Sequence, residues 1–98
     1  MASILAMITL EQKTPESIAE EVADRVRIRR KEKKLTQQEM SKRTGISFAS
    51  YKRFEQKGEI AFCSLIKIAI ALDCENDFDG LFSKKQFSSI QELIDEQN

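Results

Sequence analysis

Between Phe48 and Arg53 the chain sets an arginine, a lysine, an aromatic ring and a methyl group at a spacing suited to recognition. If this segment is helical, Phe48, Ala49, Lys52 and Arg53 lie together on one side, because residues three and four apart stack along a helix. Such a set can read the edges of bases. Arg53 can give two parallel hydrogen bonds to guanine, Lys52 can reach a base or a phosphate, and Phe48 or Ala49 can pack on a thymine methyl. For Phe48 a structural use stands equally open, as cover for the helix start or for a neighbouring subunit. Catalytic chemistry finds much less material. The 98 residues include no His, no phosphate-cradling Gly-rich loop, and only Cys63 and Cys74, eleven positions apart with no CxxC. A metal site therefore lacks ligands, no cofactor is implied, an enzyme ranks far behind a binding module, and the two cysteines are expected as reduced, buried thiols.

The elements that must position that face can be read from Thr36 to Glu55, TQQEMSKRTGISFASYKRFE. Thr36 with Glu39 three positions on forms a reciprocal capping box, so a helix starts at about Gln37. It is expected to stop near Thr44, because Gly45 can take the left-handed conformation that ends a helix without a Cβ clash. Ile46 supplies an apolar anchor, and Ser47 caps a second helix in which Ser50, Tyr51 and Phe54 form the packing face. Two helices joined by a tight turn are the unit that places one helix in a DNA groove.

Length and charge agree with a binding module. One domain of this size holds a single core but is small for a cleft enclosing a substrate. Net charge is zero, yet its distribution is uneven. Residues 1–24 carry one Lys and five acids, residues 25–58 carry twelve Lys and Arg against three acids, and residues 59–98 carry three against eight. The middle block, at +9, contains the helix pair. Phosphate binding depends on the cations that reach the backbone, so a local excess matters more than the total. RVRIRRKEKK is otherwise a solvated helix face.

Three segments surround the motif. Thr14-Pro15-Glu16 is a helix-start signature, followed by Ile18, Val22 and Val26 at every fourth position with Ala19 and Ala23 beside them, in a helix running to about Lys33. After a turn at Gln56-Lys57-Gly58, the run Phe62 to Leu72 predicts a helix buried on more than one side. Leu65, Ile68, Ala69 and Leu72 face the core, and Phe62, Ile66 and Ile70 are left for a second contact, either the N-terminal segment or a partner subunit. Asn76 is expected to cap a short helix through Phe82 with Phe78, Leu81 and Phe82 as a compact apolar face, and Ser88 or Ser89 to cap a last helix carrying Ile90, Leu93 and Ile94. The expected division is an N-terminal extension at 1–13, a helix-turn-helix domain at 14–82 and a helical tail at 83–98. The opening MASILAMITL has no basic n-region and is too short to span a bilayer, so a cytoplasmic location and no membrane partner are expected.

From about Arg25 to Phe82 the chain resembles the XRE, or Cro/repressor-type, helix-turn-helix family. RVRIRRKEKKLTQQEM is similar to that family's first helix and the start of its second, and RTGISFASYKRFE to its turn and recognition helix. The resemblance implies an all-α, compact five-helix lambda-repressor-like domain. It also implies that Gln37 contacts phosphate or braces the recognition helix, that Ser47, Phe48, Ala49, Lys52 and Arg53 face double-stranded DNA, and that Arg30 and Glu55 form a buried structural salt bridge. Met40, Gly45, Ile46, Tyr51 and Phe54 keep the two helices at their angle. The expected function is sequence-specific binding by a homodimer that represses transcription from a pseudo-palindromic operator. Dimerisation is inferred from symmetry and the apolar surplus near Phe78, Leu81 and Phe82, with the interface left open between that face, the Phe62/Ile66/Ile70 face and the termini.

Departures from the family pattern are as informative. GEIAFCS stands where repressors often place Lys and Arg, so the backbone grip is expected to rely on the first-helix block with Lys42, Arg43 and Lys57. Ser41 and Thr44 replace residues that are commonly Ala and Leu or Val. The wider arrangement, ending in DFDGLF, resembles the HipB-like branch of antitoxin regulators, which implies a possible toxin protein, a HipA-type kinase, as partner.

Overall fold

The computed structural model describes residues 13–86 and 90–97. Helix α1, Pro15–Glu32, is opened by a reciprocal box between Thr14 and Ser17, each side-chain oxygen accepting the other's backbone N–H at 3.0 Å. Arg29, Arg30 and Lys31 in its last turn suit the negative end of the helix dipole. The chain leaves through Lys34 at φ 58°, and Leu35 drops into the core. Helix α2, Gln37–Thr44, starts with the Thr36–Glu39 box, its two bonds measuring 3.1 and 2.9 Å. Gly45 at φ 75° ends it. Helix α3, Phe48–Lys57, begins at Ser47, whose Oγ accepts the Ser50 N–H at 3.1 Å. Helix α4, Phe62–Ala71, a 3-10 helix, Glu75–Gly80, and helix α5, Ile90–Gln97, complete the described chain. All regular structure in the described residues is helical, and the five-helix domain is built from α1 to α4 with the 3-10 helix in fifth place.

Helix α3 packs against both α1 and α2, and α4 closes on α2. Ala23, Leu35, Met40, Tyr51, Phe54, Ile68 and Leu72 form the buried cluster, with Val26, Ile46, Ile60 and Leu65 around it. Tyr51 and Phe54 meet edge to face at 6.3 Å between ring centres. These contacts fix the angle of α3.

Five sequence expectations are corrected. The buried seam of α1 runs through Ala23 and Arg30 with Val26 packed beside them, and Ile18 is exposed because the seam lies on the adjoining face. Ser50 is exposed and its hydroxyl accepts from Ser47 at 2.9 Å, so the packing face of α3 is Tyr51, Phe54 and Glu55. Gln56 and Lys57 are helical, and the turn begins at Gly58. Cys63 is exposed, since it points away from the Leu65, Ile68 and Leu72 face, and Cys74 is half-buried. The segment after α4 is a 3-10 turn starting after Cys74, in which Phe78 packs on Phe62 while Leu81 and Phe82 stand exposed. No compact Phe78/Leu81/Phe82 face forms, because Phe82 lies beyond the helix at φ 58°. The expected Ser88 or Ser89 cap, and nearly all of the 1–13 extension, lie outside the described residues.

Candidate nucleic-acid interface

Helix α3 has two faces with different chemistry. Its inner face is anchored by Glu55, which accepts four hydrogen bonds. Arg30 Nε donates to its Oε2 at 2.7 Å and Arg30 Nη2 to its Oε1 at 3.0 Å. Tyr51 Oη adds a bond to Oε2 at 2.5 Å, and Gln37 Nε2 one to Oε1 at 3.0 Å. Arg30 also donates through Nη1 to the Leu35 carbonyl at 2.8 Å, tying the loop before α2 to the same group. Burial pushes the Glu55 carboxyl up, but the hydrogen bonds from Arg30, Tyr51 and Gln37 and the guanidinium charge outweigh it and hold the group below its ordinary value. Burial and the Glu55 carboxylate push the Tyr51 hydroxyl well above its ordinary range, so it stays a donor. Arg30 thus serves architecture, and Gln37 spends its amide nitrogen in bracing α3.

The turn between α2 and α3 explains the two departures in α2. Ser41 Oγ donates to the Ile46 carbonyl at 2.5 Å, and buried Thr44 donates to the Met40 carbonyl at 2.7 Å while accepting the Ile46 N–H at 3.2 Å. Hydrogen bonds hold here what apolar packing holds elsewhere. No buried side-chain nitrogen or oxygen among the described residues is left without a partner.

The outer face carries Ser47, Phe48, Ala49, Lys52 and Arg53, all exposed. Lys52 Nζ sits 6.0 Å from the centre of the Phe48 ring, at the limit of a cation–π contact, so the two side chains lie along each other one turn apart. Arg53 is held by Glu59, whose Oε2 accepts from Nε at 3.2 Å and from Nη2 at 2.7 Å. Glu59 is not among the residues that the sequence pattern marks for this face. An acid just past a left-handed glycine can fold back over the preceding turn, and that is the signal that marks it. A shallow depression of about 370 Å3 lies beside this pair, lined by residues that include Ser47, Ser50, Ser64 and Lys67.

The basic block divides as well. Arg27 pairs with Asp24 at 3.1 Å, Arg29 with Glu32 at 2.9 Å and Lys33 with Asp73 at 3.0 Å. Arg25, Lys31, Lys34, Lys42, Arg43, Lys52 and Lys57 are exposed and form no ion pair among the described residues. Among the same residues no helix is long and apolar enough to cross a membrane, and no cluster of three or more acids or thiols is placed to hold a metal. The arrangement can present a firmly packed helix with donors and apolar groups outward and exposed cations around it, which is the equipment for a DNA groove and its phosphates.

A family model described as Helix-turn-helix matches residues 26–75, half of the chain, from the middle of α1 to the start of the 3-10 helix. A search of curated proteins found no match to the chain. With the capped helix pair, its glycine turn and the outward face of α3 inside that match, the chain belongs to the XRE-type helix-turn-helix family of DNA-binding transcription regulators.

Proposed function

We propose that the protein is a transcriptional repressor that binds a pseudo-palindromic operator as a homodimer. Phe48, Ala49, Lys52 and Arg53 read base edges in the major groove, and Ser47 together with unpaired cations such as Lys42, Arg43 and Lys57 holds the phosphates. The observation that carries this reading is the outer face of α3, exposed from Ser47 to Arg53 while its inner face is locked by Tyr51, Phe54 and Glu55. A helix so fixed can hold side chains in register with base pairs. Dimerisation is supported by exposed apolar side chains away from α3, with Phe62 56% and Ile70 55% exposed.

Selection from a random duplex library tests it. The expected outcome is one enriched motif with two half-sites about one helical turn apart. Arg53→Ala is expected to lower discrimination at one position of each half-site by about 1–3 kcal/mol, with Tm unchanged. No enriched motif, or a monomer by light scattering at high micromolar concentration, would sink the reading.

A second reading uses the same exposed apolar side chains to bind another protein. The chain then acts as an antitoxin that represses its own operon and holds a HipA-type kinase toxin. Co-purification with the product of a neighbouring kinase gene supports it, and failure of the two to associate counts against it.

A further inference from the structure

A guanidinium has two usable edges, and in Arg53 one of them is already taken. Nε and Nη2 both donate to Glu59 Oε2, at 3.2 and 2.7 Å. The edge formed by Nη1 and the second Nη2 hydrogen points away from that carboxylate. That edge matches two acceptors side by side, as on guanine N7 and O6.

Glu59 is itself held in place. It follows Gly58, where an added Cβ would lie 2.6 Å from the backbone carbon of Ala19, so the turn is pressed against α1. Ile60 on its other side packs on the core cluster. The carboxylate therefore leaves the backbone between two anchors, six residues beyond the arginine it holds. The Arg53 hydrogen bonds also keep the Glu59 carboxyl below its ordinary value, so it is charged at neutral pH.

We propose that Glu59 is a positioning residue for base recognition, holding the Arg53 fork by its Nε–Nη2 edge so that the Nη1–Nη2 edge is presented to guanine. The proposal rests on the reading of α3 as the recognition helix of a sequence-specific regulator. Glu59 also places a negative charge at the DNA face, which disfavours attachment through phosphates alone. Specificity and affinity are thereby pulled in opposite directions by one side chain.

The test compares wild type, Arg53→Ala, Glu59→Ala and Glu59→Gln by duplex selection and by competition titration on the selected site, at one salt concentration, with Tm as a folding control. Glu59→Ala is expected to lower preference at the Arg53-dependent base by about fivefold or more, while binding to unrelated duplex DNA tightens. Glu59→Gln keeps an acceptor oxygen at the same reach without the charge. It is expected to return preference to within about twofold of wild type while keeping the tighter unrelated binding. Unchanged preference in Glu59→Ala, a loss spread evenly over all positions, or no rescue by Glu59→Gln overturns the proposal. A different pattern marks failure of the underlying reading. Wild type then selects no site, or Arg53→Ala alters no position, and the role of Glu59 falls with it.

Discussion

Helix α3 carries an Arg–Glu pair on each side, and the two are chemically the same while physically opposite. Inside, Arg30 and Glu55 are 8% and 5% exposed and close a network with Tyr51, Gln37 and the Leu35 carbonyl. Outside, the Arg53 and Glu59 side chains are 60% and 58% exposed and, among the described residues, form an ion pair only with each other. A buried pair cannot lose one member without leaving the other charge stranded. An exposed pair is solvated on every other side, so loss of one member leaves no buried charge stranded and costs the fold little. An arginine in a basic block therefore has no assignable role until its surroundings are known.

Removing the carboxylate from the inner pair should separate the two sides of α3 most clearly. Glu55→Ala is expected to cost about 3–5 kcal/mol, since Arg30 would be left buried without its counter-charge. For a small domain with roughly 5–15 kcal/mol in hand, that is a large part of the total. Urea denaturation followed by circular dichroism measures it. If Glu55→Ala moves the midpoint no more than Arg53→Ala does, the inner pair has no architectural role and the contrast collapses.

Only the inner half of this contrast was legible in the sequence, where the family resemblance implied the Arg30–Glu55 pair, and what was not legible has a physical cause. Thr36 with Glu39, Gly45 and Ser47 could be assigned because caps are local, needing only neighbours in the chain. Tyr51 and Phe54, and Ile68 with Leu72, could be placed inside from helical spacing. Turns without glycine were hidden. Lys34 and Asp73 both sit at φ 58°, a conformation that side chains rarely take, and tertiary contacts such as the Lys33–Asp73 pair accompany it. Thr44 looked like a lost apolar anchor, because its hydrogen bonds run to backbone groups whose position only the folded turn defines. Glu59 was missed for a related reason. Its partner lies six residues back across Gly58, a spacing that no helical period connects.

Gly58 joins the two regions, since it ends α3 and seats the segment bearing Glu59 on α1. Gly45 and Gly58 share the same backbone conformation, with φ 75° and 76°. An alanine at either carries the left-handed penalty of about 1–2 kcal/mol. At Gly45 a Cβ would meet nothing within 4 Å, whereas at Gly58 it would lie 2.6 Å from the Ala19 backbone. Gly58→Ala is therefore expected to cost about 2–4 kcal/mol, clearly more than Gly45→Ala. Paired thermal melts measure the difference, and equal shifts would show that α1 yields to the added methyl.

The smallest expected effect separates the pairs by pH rather than by mutation. Glu55 has a folded pKa held below its ordinary 4.5. Its stabilising contribution is therefore fully present above that value and is lost as pH falls through the depressed one. The chain has no His, so no side chain with an ordinary pKa near neutrality titrates there. Stability is expected to be flat from about pH 6 to 8 and to fall on an acid limb that begins as pH drops through the ordinary carboxylate range and extends down through the depressed Glu55 value. Glu59 is also held below its ordinary value, by the Arg53 hydrogen bonds, but as an exposed, solvent-screened group it contributes little to that limb. Urea midpoints taken every half pH unit should thus give superimposable acid limbs for wild type and Glu59→Ala. A limb that shifts in Glu59→Ala would mean that the outer pair is structural, and the two sides of α3 would then differ in exposure without differing in role.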